Sequence, residues 1–315
     1  MPQDSDFFYD AITTIGQGRR EQQEDALAAD FPVGAGFGFA VLADGMGGHA
    51  AGDVASKIVV TEIFSELKMR GGDPSGFEHE LPQILADAAE SANDCLRMHV
   101  DQSPESEGIG ATVLATVIVG NRLYWLSVGD SPLYLYRDGE LTQLNEDHSM
   151  GPEIDRLAAE GRIGADAARF HPDRNCLTSA LLGEDIPRID CPTIPFELGH
   201  DDLLIVASDG LQFLDDDEIA GIAERAAGAG STQLGEGLMT ALDALDDPDQ
   251  DNTAICAIRI LDRAVTNASA ISPIQSAMMS RQQIIQSRPN TITVVATKNR
   301  AQGGSGYNIT MEKLA

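Results

Sequence analysis

Basic residues are scarce in this sequence. Its 315 residues include 21 Lys and Arg against 50 Asp and Glu, which gives a formal net charge of −29. So strong a negative charge repels the phosphates of nucleic acids and of anionic lipids. No apolar run approaches the ~20 residues that a membrane-spanning helix requires. We therefore expect no nucleic-acid partner and no insertion into a membrane.

Cysteines and aromatic residues are also few. The four cysteines stand apart, at Cys95, Cys176, Cys191 and Cys256, and form no CxxC pair. This spacing excludes a dense disulfide framework and predicts reduced thiols, which are typical of a cytoplasmic protein. Residues 1–10 lack the basic and then apolar order of a signal peptide. Aromatic residues make up 5% of the chain and hydrophobic residues 43%, so we expect a largely aliphatic core.

The charge is unevenly distributed along the chain. Residues 263–315 carry a net charge of +5, and residues 1–262 therefore carry −34. The C-terminal segment is also rich in Ser, Gln, Asn and Thr and contains a Gly-rich stretch at 301–306. We predict a domain over 1–262 and a basic, polar tail over 263–315. The tail is either flexible or a docking or regulatory segment, with the strand-like residues 291–296 as a candidate contact.

Apolar patterns predict both strands and helices in the first 262 residues. Candidate strands lie at 36–43, 111–120, 123–129, 132–144, 203–208 and 253–261. Candidate helices lie at 50–69, 76–99, 151–161, 214–227 and 231–245. The three central strands follow one another with short turns, which predicts an antiparallel meander. Because strands and helices do not alternate strictly, the pattern favours an α+β fold over a doubly wound parallel sheet.

Acidic residues occur where apolar strands end or begin. Asp44, Asp130 and Asp209 each follow an apolar run, and Asp251 precedes one. A carboxylate at the mouth of a buried strand is costly to desolvate unless it is paired or binds a metal. Since residues 1–262 contain 15 basic side chains, divalent cations with oxygen ligands are a natural compensation. The alternative is that each of these acids marks an ordinary turn.

A glycine-rich segment offers a competing interpretation. Residues 45–50, GMGGHA, match the spacing of a dinucleotide-binding loop that follows a strand. Asp44 would place a carboxylate beside the pyrophosphate, however, and no parallel β-α-β succession follows. A dinucleotide-dependent enzyme is therefore the weaker hypothesis.

Several short motifs occur in order along the first 262 residues. They are Arg20-x-x-x-Glu24-Asp25, VLADGMGGHAAG (41–52), GIGATVLA (108–115), VGDS (128–131), EDHSM (146–150), HPDRNCLTSAL (171–181), ASDGL (207–211) and QDNTA (250–254). This series closely resembles the bacterial form of the PPM family, the protein phosphatase 2C-like group of metal-dependent Ser/Thr protein phosphatases. The resemblance covers most of residues 10–262 and leaves the tail unexplained.

The resemblance implies a fold and a set of site residues. The fold is a four-layer α-β-β-α sandwich, in which two mainly antiparallel sheets are flanked by helix pairs. Two Mn²⁺ or Mg²⁺ ions would be held by Asp25, Asp44, the Gly45 carbonyl, Asp209 and Asp251. Arg20 matches the phosphate-binding arginine, Glu24 the acid that holds a metal-bound water, and Asp147 a ligand of a possible third metal.

The resemblance also implies an activity. This is the hydrolysis of phosphoserine and phosphothreonine in proteins by a metal-activated water, in opposition to a Ser/Thr kinase. We expect a monomeric cytoplasmic enzyme whose partners are phosphorylated protein substrates and a cognate kinase. Residues 151–175 resemble the flap that lies beside the active site in this family.

Four positions depart from the family pattern. Met46 stands where some relatives carry a His proposed as the general acid, and Phe213 stands where an acid often helps to hold the third metal. Pro132 and Ser179 replace two usual arginines. The group that protonates the leaving oxygen is thus left open, with water and His49 as candidates. The lost arginines also motivate a second hypothesis, a pseudophosphatase that recognises phosphoproteins without turnover.

Overall fold

The fold is taken from a computed structural model, which describes residues 6–47, 51–70, 74–269, 292–298 and 307–313. Residue contacts divide the chain into two units, Met1–Arg263 and Ala264–Ala315. The first unit contains all the residues proposed for the site.

The strands in the described part of the chain are β1 (Phe7–Gly16), β2 (Asp25–Asp30), β3 (Phe37–Met46), β4 (Gly110–Ala111), β5 (Val113–Val119), β6 (Arg122–Val128), β7 (Leu133–Arg137), β8 (Glu140–Gln143), β9 (Phe196–Glu197), β10 (Leu203–Ala207), β11 (Thr253–Asp262), β12 (Ile292–Lys298) and β13 (Tyr307–Lys313). The α-helices in the same residues are α1 (Gly52–Arg70), α2 (Pro74–Phe77), α3 (Leu81–Gln102), α4 (Gly151–Ala159), α5 (Ala165–Arg169), α6 (Asp216–Ala226), α7 (Ser231–Leu245) and α8 (Arg263–Ser269). Short 3₁₀ helices lie at Glu78–Glu80, Pro104–Ser106 and Asp209–Phe213.

Two antiparallel sheets form the centre of the first unit. Sheet I has the strand order β1-β11-β10-β7-β8, and sheet II has the order β2-β3-β5-β6-β9, with the short β4 paired to β3. Every named strand pair among the described residues is antiparallel. The predicted α+β fold is confirmed.

Three apolar clusters separate four layers. The cluster between the sheets includes Leu42 and Leu114 of sheet II and Leu204 and Ile258 of sheet I. A second cluster packs α1 and α3 on the outer face of sheet II, and a third packs α6 and α7 on the outer face of sheet I. Because sheet II is covered on both faces, β3 is apolar and buried over most of its length instead of alternating with polar residues. The four-layer sandwich is thereby confirmed.

Local sequence explains where the outer helices lie. Leu234, Leu238 and Leu242 of α7 are spaced four residues apart and are all buried, so they form one apolar face. The helix α6 begins with a capping box, in which Asp215 and Glu218 each accept a hydrogen bond from the other's backbone N–H. Both helices match the predicted segments to within two residues at each end.

The prediction of a single strand over 132–144 was wrong. The segment forms the hairpin β7–β8, which turns at Asp138 and Gly139. Both residues have positive φ, at 52° and 91°. An Asp-Gly pair is a strong signal for a two-residue hairpin turn, because Gly and Asp tolerate that conformation.

The predicted meander was also wrong after its second strand. β5 and β6 pair in sheet II, but β7 pairs with β10 in sheet I. The chain passes between the sheets at Gly129, whose φ of 111° is accessible to glycine and disfavoured for other residues. This crossing places the buried Asp130 at one end of the sandwich instead of in a surface turn.

The second unit is described only in part. Its strands β12 and β13 pair antiparallel, with Ile292 opposite Lys313 and Lys298 opposite Tyr307. The strand β12 includes most of the predicted strand-like residues 291–296. The assignment of a phosphatase domain to 1–262 and of a docking or regulatory segment to the tail stays a prediction. Among the described helices, none has the length and apolar character needed to cross a membrane.

Candidate metal and phosphate site

Asp25 and Asp44 lie side by side on neighbouring strands of sheet II. They are directly opposite each other in the antiparallel pairing of β2 with β3. Opposed residues have Cβ atoms ~4.5–5.5 Å apart, so the strand register alone holds the two carboxylates together. Asp25 is 5% exposed. Its Oδ1 atom is buried and has no hydrogen-bond partner among the described residues.

Ser208 connects Asp25 to the other sheet. Its hydroxyl donates to Asp25 Oδ2 at 2.7 Å and accepts from the backbone N–H of Ala254 at 2.9 Å. Ser208 directly follows β10, and Asp209 comes next as the first residue of a 3₁₀ helix. The end of sheet I, with Asp209, is therefore brought next to Asp25.

Asp251 lies close to the same carboxylates, just before the strand that pairs with β10. It lies two residues before β11, which pairs with β10. Its Oδ1 accepts the backbone N–H of Asn252 at 2.8 Å, and its Oδ2 accepts from Arg20 Nη2 at 2.5 Å. The Arg20 side chain is 55% exposed and that of Asp251 is 26% exposed. This ion pair therefore lies at the solvent rim of the carboxylate cluster.

The backbone of Glu24 connects its own segment to the segments that contain Asn252 and Gly45. Its N–H donates to Asn252 Oδ1 at 2.7 Å, and its carbonyl accepts the N–H of Gly45 at 3.1 Å. A Cβ atom at Gly45 would collide with the carbonyl oxygen of Gly52, so a larger residue does not fit there. The backbone at Gly45 therefore packs against the backbone of Gly52 more closely than a residue with a side chain would permit.

The carboxylates perturb one another strongly. Burial raises the pKa of Asp25 to about 7, and the charges of Asp209 and Asp251 contribute. Burial, followed by the charge of Asp251, raises the pKa of Asp209 to about 6. Burial and the charge of Asp25 raise the pKa of Asp44 well above its usual range. Burial also raises the pKa of Glu24. Clustered acids of this kind are destabilised as anions until a positive charge compensates them.

The donor set fits hard divalent cations. Carboxylate and carbonyl oxygens are the ligands that Mg²⁺ and Mn²⁺ prefer, and Asp25 Oδ1 is a buried oxygen that has no partner among the described residues. Within the described residues, no three His, Cys, Asp or Glu side chains already stand in a metal-binding arrangement. The fit therefore rests on the chemistry of the cluster and on its unpaired oxygen.

Comparison with known proteins identifies the family. The sequence profile of the protein phosphatase 2C family matches residues 16–243. The chain belongs to the protein phosphatase 2C family. A protein phosphatase 2C-type protein of Streptococcus pyogenes is 34% identical over 214 residues, which cover 67% of this chain and 81% of that protein. The resemblance found in the sequence motifs is confirmed.

A mycobacterial relative is similar in sequence and in structure. The serine/threonine protein phosphatase PstP of Mycobacterium tuberculosis is 38% identical over 180 residues, which cover 57% of this chain and 32% of PstP. The match thus spans about a third of that relative's length. The crystal structure of PstP has a TM-score of 0.66 and 30% identity, and covers 81% of this chain and 99% of the PstP chain. A second structure, of the PstP catalytic domain with two manganese ions, also has a TM-score of 0.66, at 29% identity, and covers 81% of this chain and all of that one.

The protein phosphatase 2C profile ends before Asp251. Its match stops at residue 243, so the placement of Asp251 in the site depends on the structure. The ion pair with Arg20 and the position of Asp251 before β11 provide that placement.

The structure adds Asp130 to the acids of this cluster. It is 7% exposed. Burial raises its pKa to about 8, and the charges of Asp209 and then Asp147 contribute. Asp130 is one of the strand-end acids of the sequence, but no part in the site was predicted for it. The VGDS segment was the available signal, but the crossing between sheets that brings it to Asp209 was not predicted.

Asp147 lies close enough for its charge to affect Asp130. Its Oδ1 accepts the backbone N–H of Ser149 at 2.8 Å, just before α4 of the segment that resembles the flap. Two hydrogen bonds of 2.7 Å from Arg174 to Asp155 link the first and last parts of that segment.

The substituted positions have structural explanations. Ser179 is buried, and its hydroxyl accepts from the Arg188 N–H at 3.0 Å and donates to the Arg188 carbonyl at 2.7 Å. Pro132 is buried, and its carbonyl accepts the N–H of Ala207. Phe213 packs against the apolar cluster beneath α6 and α7. These residues serve packing and backbone pairing in positions where the family pattern has charged groups.

The competing dinucleotide loop lies partly outside the described residues, which exclude 48–50. The candidate acid His49 lies wholly outside them. Gly45 and Met46 belong to β3 and pair with β4. The first two residues of the glycine pattern therefore form strand instead of a loop at a helix N-terminus, which argues against dinucleotide binding.

Proposed function

We propose that this chain is a metal-dependent protein phosphatase that hydrolyses phosphoserine and phosphothreonine. The observation that carries the proposal is the convergence of Asp25, Asp44, Asp209 and Asp251 beside Arg20 in a member of the protein phosphatase 2C family. The substrates would be phosphorylated proteins. Relatives from several bacteria are named as serine/threonine phosphatases.

Two Mn²⁺ or Mg²⁺ ions would be held by the four aspartates and the Gly45 carbonyl, and the PstP catalytic domain was solved with two manganese ions. When bound, these ions supply Lewis-acid activation of water and neutralise charge on the phosphoryl oxygens. Asp147 is the side chain that would help to hold a possible third ion, and its charge and that of Asp209 both act on the nearby Asp130.

Arg20 would bind and orient the phosphate group. A guanidinium has five N–H donors in a planar fork, and the bond from Nη2 to Asp251 leaves donors for two phosphate oxygens. The same ion pair ties the arginine to the metal-binding cluster, so the phosphorus atom is held next to the ions. Glu24, whose pKa is raised by burial, would accept a proton or hydrogen bond from water at the cluster.

A pseudophosphatase is the alternative. The absence of the two arginines at Pro132 and Ser179 motivated it, but both residues pack in the interior. The acids and Arg20 that the chemistry needs are all present and close together. We therefore favour an active enzyme.

A catalytic test separates these two functions. We expect Mn²⁺-dependent hydrolysis of p-nitrophenyl phosphate and of phosphoserine and phosphothreonine peptides, measured as kcat/KM. EDTA should abolish it, and Asp209→Asn should lower kcat at least ~100-fold, as loss of a group that stabilises transition-state charge does.

Asp217→Asn is the matched control, because it removes the same charge from an exposed position on α6. It should retain full activity. Hydrolysis that persists in EDTA, or an Asp209→Asn protein as active as the control, would contradict the proposed mechanism. Metal and phosphopeptide binding without turnover would favour the pseudophosphatase.

The remaining expectations stay predictions. They are a cognate Ser/Thr kinase, a monomeric state, the lack of a nucleic-acid partner and a cytoplasmic location.

A further inference from the structure

The loop that carries Arg20 and Glu24 has no regular secondary structure. It connects the end of β1 at Gly16 to the start of β2 at Asp25. A free loop of this length would give Arg20 many positions, and ordering each residue costs about 1–2 kcal/mol. A phosphate-binding arginine on such a loop needs an anchor.

Asn252 is that anchor. Its side chain is 3% exposed. Its Nδ2 donates to the carbonyls of Gln17 and Gln22, both at 2.9 Å. Its Oδ1 accepts the N–H of Glu24 at 2.7 Å. One buried amide thus binds the backbone on both sides of Arg20.

Backbone contacts bring the loop against the same segment. The N–H of Arg19 donates to the carbonyl of Gln250 at 2.8 Å. Gly18 has a φ of 58°, and a Cβ there would collide with the carbonyl oxygen of Asp251. Asn252 immediately precedes β11, which is paired on both sides in sheet I, and therefore supplies a rigid base for the loop.

We propose that Asn252 is a positioning residue for phosphate binding, which holds the Gln17–Glu24 loop so that Arg20 stands over Asp251. This inference rests on the proposed function. Asn252 touches neither the phosphate nor the ions through its side chain. It acts through the loop, and its sequence position next to Asp251 couples the phosphate-binding arginine to a metal-binding acid.

The geometry predicts that phosphate and metal binding respond differently to its loss. Removing the side chain leaves the Glu24 N–H and two carbonyls without their partner and frees the loop. Arg20 is then no longer held in its binding position before phosphate binds. The bond to Asp251 Oδ1 comes from the backbone N–H of residue 252. Any substitution except proline retains that N–H, and Asp251 would therefore keep its orientation.

The test uses the full chain with Asn252→Ala and Asn252→Leu. The leucine variant keeps the size of the side chain but has neither the amide donors nor the Oδ1 acceptor, and it adds no charge beside Asp251. Calorimetry would measure Mn²⁺ binding, then inorganic phosphate binding to the Mn²⁺-loaded protein. We expect phosphate to bind about tenfold more weakly in both variants, as for the loss of one or two hydrogen bonds. The Kd for Mn²⁺ should change less than about twofold.

Asn93→Ala is the matched control. Asn93 is also 3% exposed, and its amide donates to the Glu184 carbonyl and accepts the Gly183 N–H, so neither of these bonds involves the loop. It should lower thermal stability to a similar extent and leave phosphate binding unchanged. In kinetics with p-nitrophenyl phosphate, the Asn252 variants should raise KM more than they lower kcat.

Two results would overturn the inference. One is phosphate binding by both Asn252 variants at the wild-type affinity; the other is an equal loss in Asn93→Ala. Because phosphate binding is measured without turnover, a wild-type protein that binds phosphate but hydrolyses nothing would contradict the proposed function and leave this test intact.

Discussion

At the scale of one residue, Asp25 shows how burial in this site disfavours the charged form of a carboxyl group. Its carboxylate is buried, one oxygen bonds to Ser208 and the other has no partner among the described residues. Its pKa of about 7 lies above the ordinary value of 3.8. The pKa values of Asp209 and Asp130 are raised in the same direction, to about 6 and about 8. The native metal-free protein therefore binds more protons than the unfolded chain between about pH 4 and about pH 8.

The stability of the metal-free protein should consequently fall as the pH rises. A group whose pKa is higher in the native protein than in the unfolded chain stabilises the fold below its unfolded pKa. That stabilisation is lost as the pH rises through the native pKa. In EDTA, we expect the Tm to decrease from about pH 5 to about pH 8, with the steepest change below about pH 6, where these carboxyls are protonated in the native protein and ionised in the unfolded chain. Asp25→Asn should flatten this profile and raise the Tm at the alkaline end. Thermal unfolding followed by circular dichroism measures both effects.

Asp155→Asn is the control for this pH profile. Its bonds with Arg174 lower the pKa of Asp155, so that carboxyl titrates below the window and its loss should not change the slope. A Tm that rises between about pH 5 and about pH 8 in EDTA would contradict the charge balance described here.

The sequence predicted the type of site residue better than the contacts among them. The acids Asp44, Asp209 and Asp251 stood out because each adjoins an apolar run, and Asp25 and Arg20 were identified through the family motifs. Ser208 and Asn252 were not found. Their importance depends on partners 183 and more than 200 residues away, and no local pattern encodes such a contact.

At the scale of the element, strand ends decide the geometry of the site. Helices were predicted well because their apolar spacing is local. Strand β2 was not among the predicted segments, so its pairing with β3 was missed. The crossing from β6 to β7 was not predicted, since it depends on which sheet a strand joins. Thr112, which lies directly before β5, illustrates this dependence. Its N–H donates to the Asp44 carbonyl at 2.8 Å, its hydroxyl accepts the Asp44 N–H at 3.0 Å, and it also contacts the Ser131 hydroxyl at 3.0 Å.

Thr112→Val should destabilise this junction of strands. The substitution keeps the shape but leaves the N–H of Asp44 without an acceptor, which costs about 1–3 kcal/mol for a buried group. We expect that loss in the free energy of unfolding measured with urea, together with weaker Mn²⁺ binding by calorimetry. Thr112→Ser should restore both, because it keeps the hydroxyl.

Thr116→Val makes the same chemical change further along β5. Thr116 is fully buried, but its hydroxyl reaches the Ala40 carbonyl only at 3.5 Å. The cost there should stay below about 1 kcal/mol, since so long a hydrogen bond contributes little, with no change in Mn²⁺ affinity. Equal effects of the two Val variants would show that Thr112 has no special connection to Asp44.

At the scale of the whole molecule, the first 262 residues combine a net charge of −34 with a proposed binding site for an anion. The field of these acids attracts divalent cations and repels phosphate. Bound cations and Arg20 would reverse the sign locally, so we expect metal to bind first and phosphate second. The general argument against polyanionic partners then applies to the bulk surface, whereas the site is a small local exception.

This charge distribution predicts a salt dependence of metal binding. Between about 10 mM and about 100 mM KCl the Debye length falls from about 30 Å to about 10 Å, so the attraction from acids outside the site is screened. We expect the Kd for Mn²⁺, measured by calorimetry, to increase several-fold over this range. Replacing KCl by tetramethylammonium chloride at equal ionic strength should give the same Kd, which separates screening from competition by K⁺. A Kd that is independent of ionic strength would mean that the aspartates at the site supply all the attraction, and that the remaining negative charge serves another purpose.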